Sequence, residues 1–148
     1  KKMIKNINLE NDHGSIDGYY HLNTSENIYN YFSDHSVDTG LIELLKNEKE
    51  IFVIGLIRNL WVEEVQRGKG YGAELMIQMM SEIDQHADLV FLIADSLEEN
   101  SFSISEWYES YGFQEILETS CGALMVSGNE DLIIKIESCI FTTQKPSF

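Results

Sequence analysis

The sequence is poor in cysteine and proline. It contains 2 Cys and 1 Pro in 148 residues, and the two cysteines show neither a metal-ligand spacing nor a disulfide framework. We therefore expect a reduced, cytoplasmic protein without a metal site. No apolar run approaches the roughly 20 residues that a membrane helix needs, and no secretory signal pattern is visible.

Positive charge is also scarce. The chain has 10 Lys and Arg against 25 Asp and Glu, for a net charge of −15. Between Gly70 and Ile134 it has no Lys or Arg at all. Such a surface repels nucleic acid and attracts cations, which favours a cationic partner. The alternative is that the charge serves solubility alone.

What is present indicates a folded chain. An apolar fraction of 43%, with 7 Phe and 7 Tyr, is enough for a proper core at this length. We expect a single domain over residues 1–148, with residues 129–148 as a C-terminal extension. The apolar spacing of that extension suits a helix, with Ser127 and Glu130 as a capping box, although a strand is also compatible with it.

The first half predicts strands near residues 3–9 and 16–22, then two short helices. Residues 51–62 follow as a central strand that is apolar on both faces. Simple alternation places Trp61 on one face with Ile57, and Leu60 on the other face with Leu56. Gly55 indicates a bulge or a sharp turn within this run.

A glycine-rich loop, Arg67-Gly68-Lys69-Gly70-Tyr71-Gly72, joins this strand to a helical pattern. Glycines let the backbone turn tightly and bring its N–H groups close to a ligand. The helix that follows has no Ser, Thr, Asp or Asn to cap its first amides, so they are free to hold an anion. Arg67 and Lys69 add positive charge, and the loop is predicted to bind a phosphate or pyrophosphate.

Two common nucleotide-binding motifs do not fit this loop. A Walker loop needs Gly-Lys followed by Ser or Thr, and the dinucleotide fingerprint needs two residues between its last two glycines. What remains, Arg-x-x-Gly-x-Gly after the strand residues Leu60, Trp61 and Val62, resembles the acyl-coenzyme-A loop of the GNAT superfamily of N-acetyltransferases. A plain glycine turn between a strand and a helix is the alternative.

A second stretch strengthens the resemblance. The sequence Trp107-Tyr108-Glu109-Ser110-Tyr111-Gly112-Phe113 is similar to the second GNAT signature, an aromatic-Tyr pair followed by three residues and Gly-Phe. One predicted helix and one predicted strand separate it from the first, as in the family. Together the two signatures cover roughly half of the chain. The first fifty residues resemble the family only in having strands and helices where its variable substrate region lies.

The resemblance implies an α/β fold with a mixed central sheet, a splayed cofactor slot and helices on both faces. It implies acetyl-CoA as cosubstrate, Tyr108 as the acid that protonates the leaving thiolate, and a strand bulge that opens the slot. The residues expected to bind the cofactor are Leu60, Trp61, Val62, Arg67, Gly68, Lys69, Gly70, Tyr71, Gly72 and, near the position where many members carry Asn, Asn100. From its spacing alone Tyr108 would be a core aromatic.

The function expected from these residues is direct transfer of an acetyl group to the amine of a cationic acceptor, either a small molecule or a protein lysine. Alternatives are a GNAT-like module that binds acyl-CoA without turnover, or an acidic protein that mimics nucleic acid. Acetyl-CoA and the amine are the expected partners, nucleic acid and membranes are not, and a homodimer is left open. No general base can be singled out; the candidates are Glu63, Glu64, Asp95, His86 and His21.

Overall fold

The computed structural model describes residues 5–51, 53–66, 68–94 and 104–144. In these residues the chain forms a six-stranded mixed sheet with helices on both faces, which confirms the predicted fold class. The strands are β1 (Lys5–Asn11), β2 (Gly14–Leu22), β3 (Val53–Val62), β4 (Leu89–Ala94), β5 (Gln114–Thr119) and β6 (Gly122–Gly128). The helices are α1 (Glu26–Asp34), α2 (Thr39–Asn47), α3 (Tyr71–Ile83), α4 (Ile104–Glu109) and α5 (Glu130–Gln144), with a short 3-10 turn over Glu64–Gln66.

The sheet has the order β1-β2-β3-β4-β6-β5, and β3 and β4 are its parallel neighbours. A right-handed crossover through α3 is the usual connection for such a parallel pair. The other neighbouring strands are antiparallel. The central β3 lies inside the sheet, between β2 and β4, and both of its faces are covered by helices, as its apolar sequence predicts.

Each face of the sheet carries its own apolar core. One cluster, here called the α1/α2 face, joins β3 residues Ile54 and Leu56 to helices α1, α2 and α5. The other, the α3 face, joins β3 residues Val53 and Ile57 to helices α3 and α4. This separation places the glycine loop and α3 on one side of the sheet and α1 and α2 on the other.

A bulge in β3 corrects the predicted side-chain directions. Asp17 of β2 lies opposite Asn59 and Gly18 lies opposite Ile57, so Arg58 is an extra residue in β3. Because one inserted residue inverts the faces of all that follow, Leu60 packs with Ile57 on the α3 face. Trp61 lies on the opposite face and is 54% exposed, so the simple alternation was wrong beyond the bulge.

Gly55 does not mark this bulge or a turn. It lies inside β3, opposite Tyr20 and Val90, and the strand runs through it without a break. A Cβ at this position would come within 2.8 Å of the Ile83 side chain at the end of α3. Glycine is needed there for close helix packing, which the local sequence does not distinguish from a bulge.

The C-terminal residues form a helix, as the sequence favoured over a strand. α5 buries Leu132, Ile133, Ile136 and Ile140 in the core of the α1/α2 face. Its first turn is capped by Asn129, whose Oδ1 accepts a hydrogen bond from the Leu132 amide at 3.1 Å. Ser127 lies within β6, so the predicted Ser127–Glu130 capping box was wrong.

Candidate active site

Strands β3 and β4 separate part-way along their length. Their pairing runs from Ile54 opposite Leu89 to Ile57 opposite Leu92, whereas β3 continues to Val62. No described strand pairs with the far half of β3 on that side. A slot therefore opens between the two strands directly after Ile57, where the Arg58 bulge begins, and this is the splay that the fold class predicts.

The glycine loop lies beside this slot and leads into α3. Gly68 and Gly70 have φ values of 82° and 90°, in the left-handed region where glycine is favoured. A Cβ at either position would meet no atom within 4 Å, so the loop surface is open. Gly70 caps α3 without a side-chain hydrogen bond. The first amides of α3 are thus available to an anion, and the residues fit a phosphate group.

The two sequence signatures meet at this point. A Cβ on Gly72 would lie 3.5 Å from Cγ2 of Val62 and 3.8 Å from the ring of Trp107. Trp107 in turn contacts Tyr108 and Tyr111, with ring centroids 5.1 Å and 5.0 Å away. The end of β3, the start of α3 and helix α4 therefore form one packed unit around the slot.

The turn between β1 and β2 supports the start of α3 from the other side. The His13 ring lies 4.2 Å from the Tyr71 ring, and Asn11 Nδ2 donates a 3.3 Å hydrogen bond to the Tyr71 carbonyl. The Glu63 amide donates to the His13 carbonyl at 2.8 Å. These contacts hold the glycine loop against the sheet, and they join residues far apart in sequence.

Tyr108 is buried on α4, with 8% of its surface exposed. Burial raises the pKa of its phenol to about 12, and Tyr31 adds to the rise. The phenol therefore keeps its proton across the physiological pH range. Within the described residues, nothing accepts a hydrogen bond from the Tyr108 hydroxyl, so its proton is available to a bound group.

Tyr31 reaches the same region from the α1/α2 face. Burial raises its pKa to about 12, the Arg58 charge opposes the rise, and the Cys121 thiol adds to it. Tyr31 thus lies within electrostatic reach of Tyr108 on one side and of Arg58 on the other.

Comparison with known proteins identifies the family. Residues 10–115 match the model of the acetyltransferase (GNAT) domain. The chain belongs to the GNAT acetyltransferase family. Membership supports acetyl transfer in general. No curated protein matches the sequence.

Three solved structures are similar to this chain to different degrees. An acetyltransferase from Bacillus cereus ATCC 14579 is 16% identical with a TM-score of 0.53, over 86% of this chain and 75% of that one. A protein from Pyrococcus horikoshii OT3 is 22% identical with a TM-score of 0.46, over 53% of this chain and 48% of that one. Chaetomium thermophilum Naa20, solved with a bisubstrate analogue, is 17% identical with a TM-score of 0.49, over 86% and 67%. This GNAT chain thus spans about half the length of the Pyrococcus structure.

Most of the predicted site residues are brought together around the slot. Leu60 and Val62 turn toward α3, while Lys69 is exposed, with Nζ donating to Gln66 Oε1 at 3.3 Å. Arg67 and Asn100 lie outside the described residues. No helix in the described part of the chain is long and apolar enough to span a membrane.

The candidate general bases lie in different parts of the structure. His21 lies opposite Ile54, and His86 stacks on Tyr20, which lies opposite Gly55. Both histidines are therefore near the beginning of β3, away from the end where the slot opens. Asp95 and the side chain of Glu64 lie outside the described residues.

Sequence reasoning missed Arg58, Tyr31 and the His13–Tyr71 contact. Arg58 was overlooked because the bulge depends on strand register. Tyr31 lies in the first of the two predicted short helices, directly before the buried Phe32, and the helical spacing gives no sign of a polar role for it. Only the charge of Arg58 inside an otherwise apolar strand could have served as a signal.

Proposed function

We propose that this protein transfers an acetyl group from acetyl-CoA directly to the primary amine of a cationic acceptor. The observation that carries the proposal is the open, uncapped loop of Gly68 and Gly70, which leads into a helix start that packs against Trp107, the ring neighbour of Tyr108. The glycine loop suits a pyrophosphate, and the region of Tyr108 suits a thioester. A net charge of −15 favours an acceptor that arrives as an ammonium ion.

The cofactor would be held by the loop and the end of β3. The amides of Tyr71 and Gly72 face the pyrophosphate position, with Lys69 and the sequence-predicted Arg67 adding charge. Asn100 completes the proposed set toward the pantetheine arm. Acetyl-CoA, when bound, supplies the activated acetyl group as a thioester.

The chain's own groups then do two things. A backbone N–H in the stretch of Leu60, Trp61 and Val62 donates to the acetyl carbonyl oxygen and stabilises its developing charge. A C–N bond forms to the acceptor nitrogen while the C–S bond breaks, leaving its electron pair on sulfur. Tyr108 gives its proton to that sulfur and is reprotonated by solvent. The nitrogen, which arrives as an ammonium ion, loses one proton to solvent before it attacks and a second after the C–N bond has formed. Cys121 and Cys139 take no part, because no covalent enzyme intermediate forms.

Calorimetry with acetyl-CoA and CoA tests the first half of the proposal. Both ligands should bind with comparable affinity, and binding should weaken in Gly70→Asp. A thiol-release screen over amines then tests turnover, with initial rates that depend on both substrates in a sequential rather than a ping-pong pattern.

The alternatives give different results in the same two measurements. A module that only binds acyl-CoA shows heat of binding without thiol release. An acidic mimic of nucleic acid shows neither, and would instead bind a basic protein. Turnover that disappears in Cys121→Ala or Cys139→Ala would contradict direct transfer.

A further inference from the structure

The bulge of β3 turns one cationic side chain toward the α1/α2 face. Arg58 has no Cα partner in β2, since Asp17 pairs with Asn59 and Gly18 with Ile57. Its guanidinium lies 5.1 Å from the centre of the Tyr19 ring, which belongs to the core of that face. Bulges often re-aim a side chain next to an active site, and here the re-aimed group is an arginine.

Arg58 is held firmly but keeps unused hydrogen-bonding capacity. Its Nη2 donates to Asp17 Oδ1 at 3.1 Å and to Asn6 Oδ1 at 3.3 Å. Its Nε is buried and has no hydrogen-bond partner. A guanidinium offers five N–H donors in a planar fork, and the Arg58 side chain is 30% exposed. The exposed part of the guanidinium can therefore take another hydrogen-bond acceptor from solvent, whereas the buried Nε is reached only if the side chain moves.

The position of Arg58 relates it to the acceptor rather than to the cofactor. It directly follows Ile57, the last residue of β3 that pairs with β4, so its main chain stands where the slot opens, and its guanidinium extends from there over β2 toward Asn6 of β1. The glycine loop approaches the slot on the α3 face, and Arg58 lies on the opposite one. Trp61 is exposed on that same face, and Tyr31 is within electrostatic reach. When the cofactor occupies the α3 face, the α1/α2 face is the one left to a second substrate.

We propose that Arg58 binds a carboxylate of the acceptor, so that the substrate is an amine that also bears a carboxylate, such as a free amino acid. This rests on the function proposed above and narrows its acceptor class. Arginine and carboxylate form charge-assisted, often bidentate hydrogen bonds, which are among the strongest in proteins. The acidic surface draws in the ammonium group, and Arg58 fixes the other end.

A purely structural role for Arg58 makes a different prediction. In that case its ion pair with Asp17 only secures the bulge, and partly exposed pairs of this kind contribute little to stability. Substitutions at Arg58 would then change the free energy of unfolding only slightly, and any effect on activity would be the same for all acceptors. Selectivity between acceptors with and without a carboxylate is the property that a structural role would not alter.

Matched acceptors provide the test. The kcat/KM from thiol release is compared between lysine and cadaverine, and between phenylalanine and phenethylamine. Cadaverine and phenethylamine differ from their partners only in lacking the carboxylate. We expect the amino acids to be preferred, and Arg58→Gln to raise KM for them by about 10- to 100-fold. The decarboxylated amines and acetyl-CoA should keep their KM within about 2-fold, and Arg58→Lys should restore part of the loss.

Two further variants sharpen this test. Asp17→Asn removes the competing carboxylate, so KM for the amino acids should fall. Lys46→Gln is the matched control, because Lys46 Nζ also lies over a tyrosine ring, 5.0 Å from Tyr29, on the α1–α2 hairpin; its selectivity should equal that of the parent. Equal loss for all acceptors in Arg58→Gln, or a preference for cadaverine over lysine, would overturn the proposal.

A binding measurement separates this proposal from the function on which it rests. Calorimetry with N-acetyl-lysine and N-acetyl-cadaverine in the presence of CoA requires no turnover. Selective binding of N-acetyl-lysine that is lost in Arg58→Gln, without thiol release, would keep the carboxylate site and reject the enzyme. Thiol release with cadaverine, together with no Arg58-dependent binding, would keep the enzyme and reject the carboxylate site. Absence of both would reject both proposals.

Discussion

The two faces of the central strand differ in how their functional groups are built. On the α3 face, Gly68, Gly70 and the uncapped start of α3 follow one another in sequence and expose backbone amides. On the α1/α2 face, Arg58, Tyr19 and Tyr31 come from three separate elements and present side chains. The difference suits a common cofactor on one face and a particular acceptor on the other, since backbone amides can bind a phosphate whatever side chains surround them.

The largest predicted effect lies at the slot between these faces. Tyr108→Phe keeps the ring but removes the proton donor, so kcat should fall by about 100- to 10,000-fold with little change in acetyl-CoA affinity. Tyr111→Phe is the control, because Tyr111 contacts Trp107 at nearly the same distance and has no proposed role. If Tyr108→Phe folds, binds cofactor and turns over at the parental rate, the catalytic role is wrong.

The next largest effect is expected from a substitution on the α3 face, in the affinity for acetyl-CoA. Gly70→Asp places a side chain and a negative charge where the pyrophosphate is proposed to lie, and it should weaken acetyl-CoA binding by at least about 10-fold. Gly70→Ala separates two causes, because it strains the backbone at a φ of 90° without adding charge. Calorimetry should show a smaller loss for Ala than for Asp. Equal affinity of Gly70→Asp and the parent would remove the loop from the cofactor site.

A smaller effect is expected from the acidic surface. Charges exposed to solvent act over about 30 Å at 0.01 M salt and about 8 Å at 0.15 M. Raising the salt over this range should lower kcat/KM several-fold for cadaverine, which carries two positive charges, and less for phenylalanine. A kcat/KM for cadaverine that does not change with salt would show that net charge does not select the acceptor.

The smallest effect concerns stability at alkaline pH. The phenol of Tyr108 has a pKa raised by burial to about 12 in the folded protein, against about 10 when unfolded. Below pH 10 its contribution to stability is fully present. Between pH 10 and 12 only the unfolded state releases the proton, so the free energy of unfolding falls as pH rises, by about 2 kcal/mol.

Denaturant unfolding of the parent and Tyr108→Phe from pH 9 to pH 12 measures this contribution. The Phe variant should lose less stability over this range than the parent. If the two curves run parallel, the Tyr108 phenol ionises alike in the folded and unfolded states. In turnover, the same raised pKa predicts no loss of kcat up to pH 10 from ionisation of this acid.

The sequence by itself predicted the strand–loop–helix unit around the glycines and the buried stripes of its helices. A glycine at positive φ and an amphipathic helix are specified by residues within a few positions of one another. The same holds for the helix start at Ser25, whose Oγ accepts a hydrogen bond from the Asn27 amide. The single-domain boundary and the roles of all the predicted site residues, Arg67 and Asn100 among them, stay predictions.

Tertiary structure decided which side chains lie at the proposed acceptor site. The bulge at Arg58 arises from the register between β2 and β3, strands separated by α1 and α2, and no local pattern encodes that register. Because each inserted residue inverts the faces that follow, the register also decided the directions of Leu60 and Trp61. The glycine loop is local and its conformation could be predicted, whereas the proposed acceptor site depends on pairing between distant strands and could not.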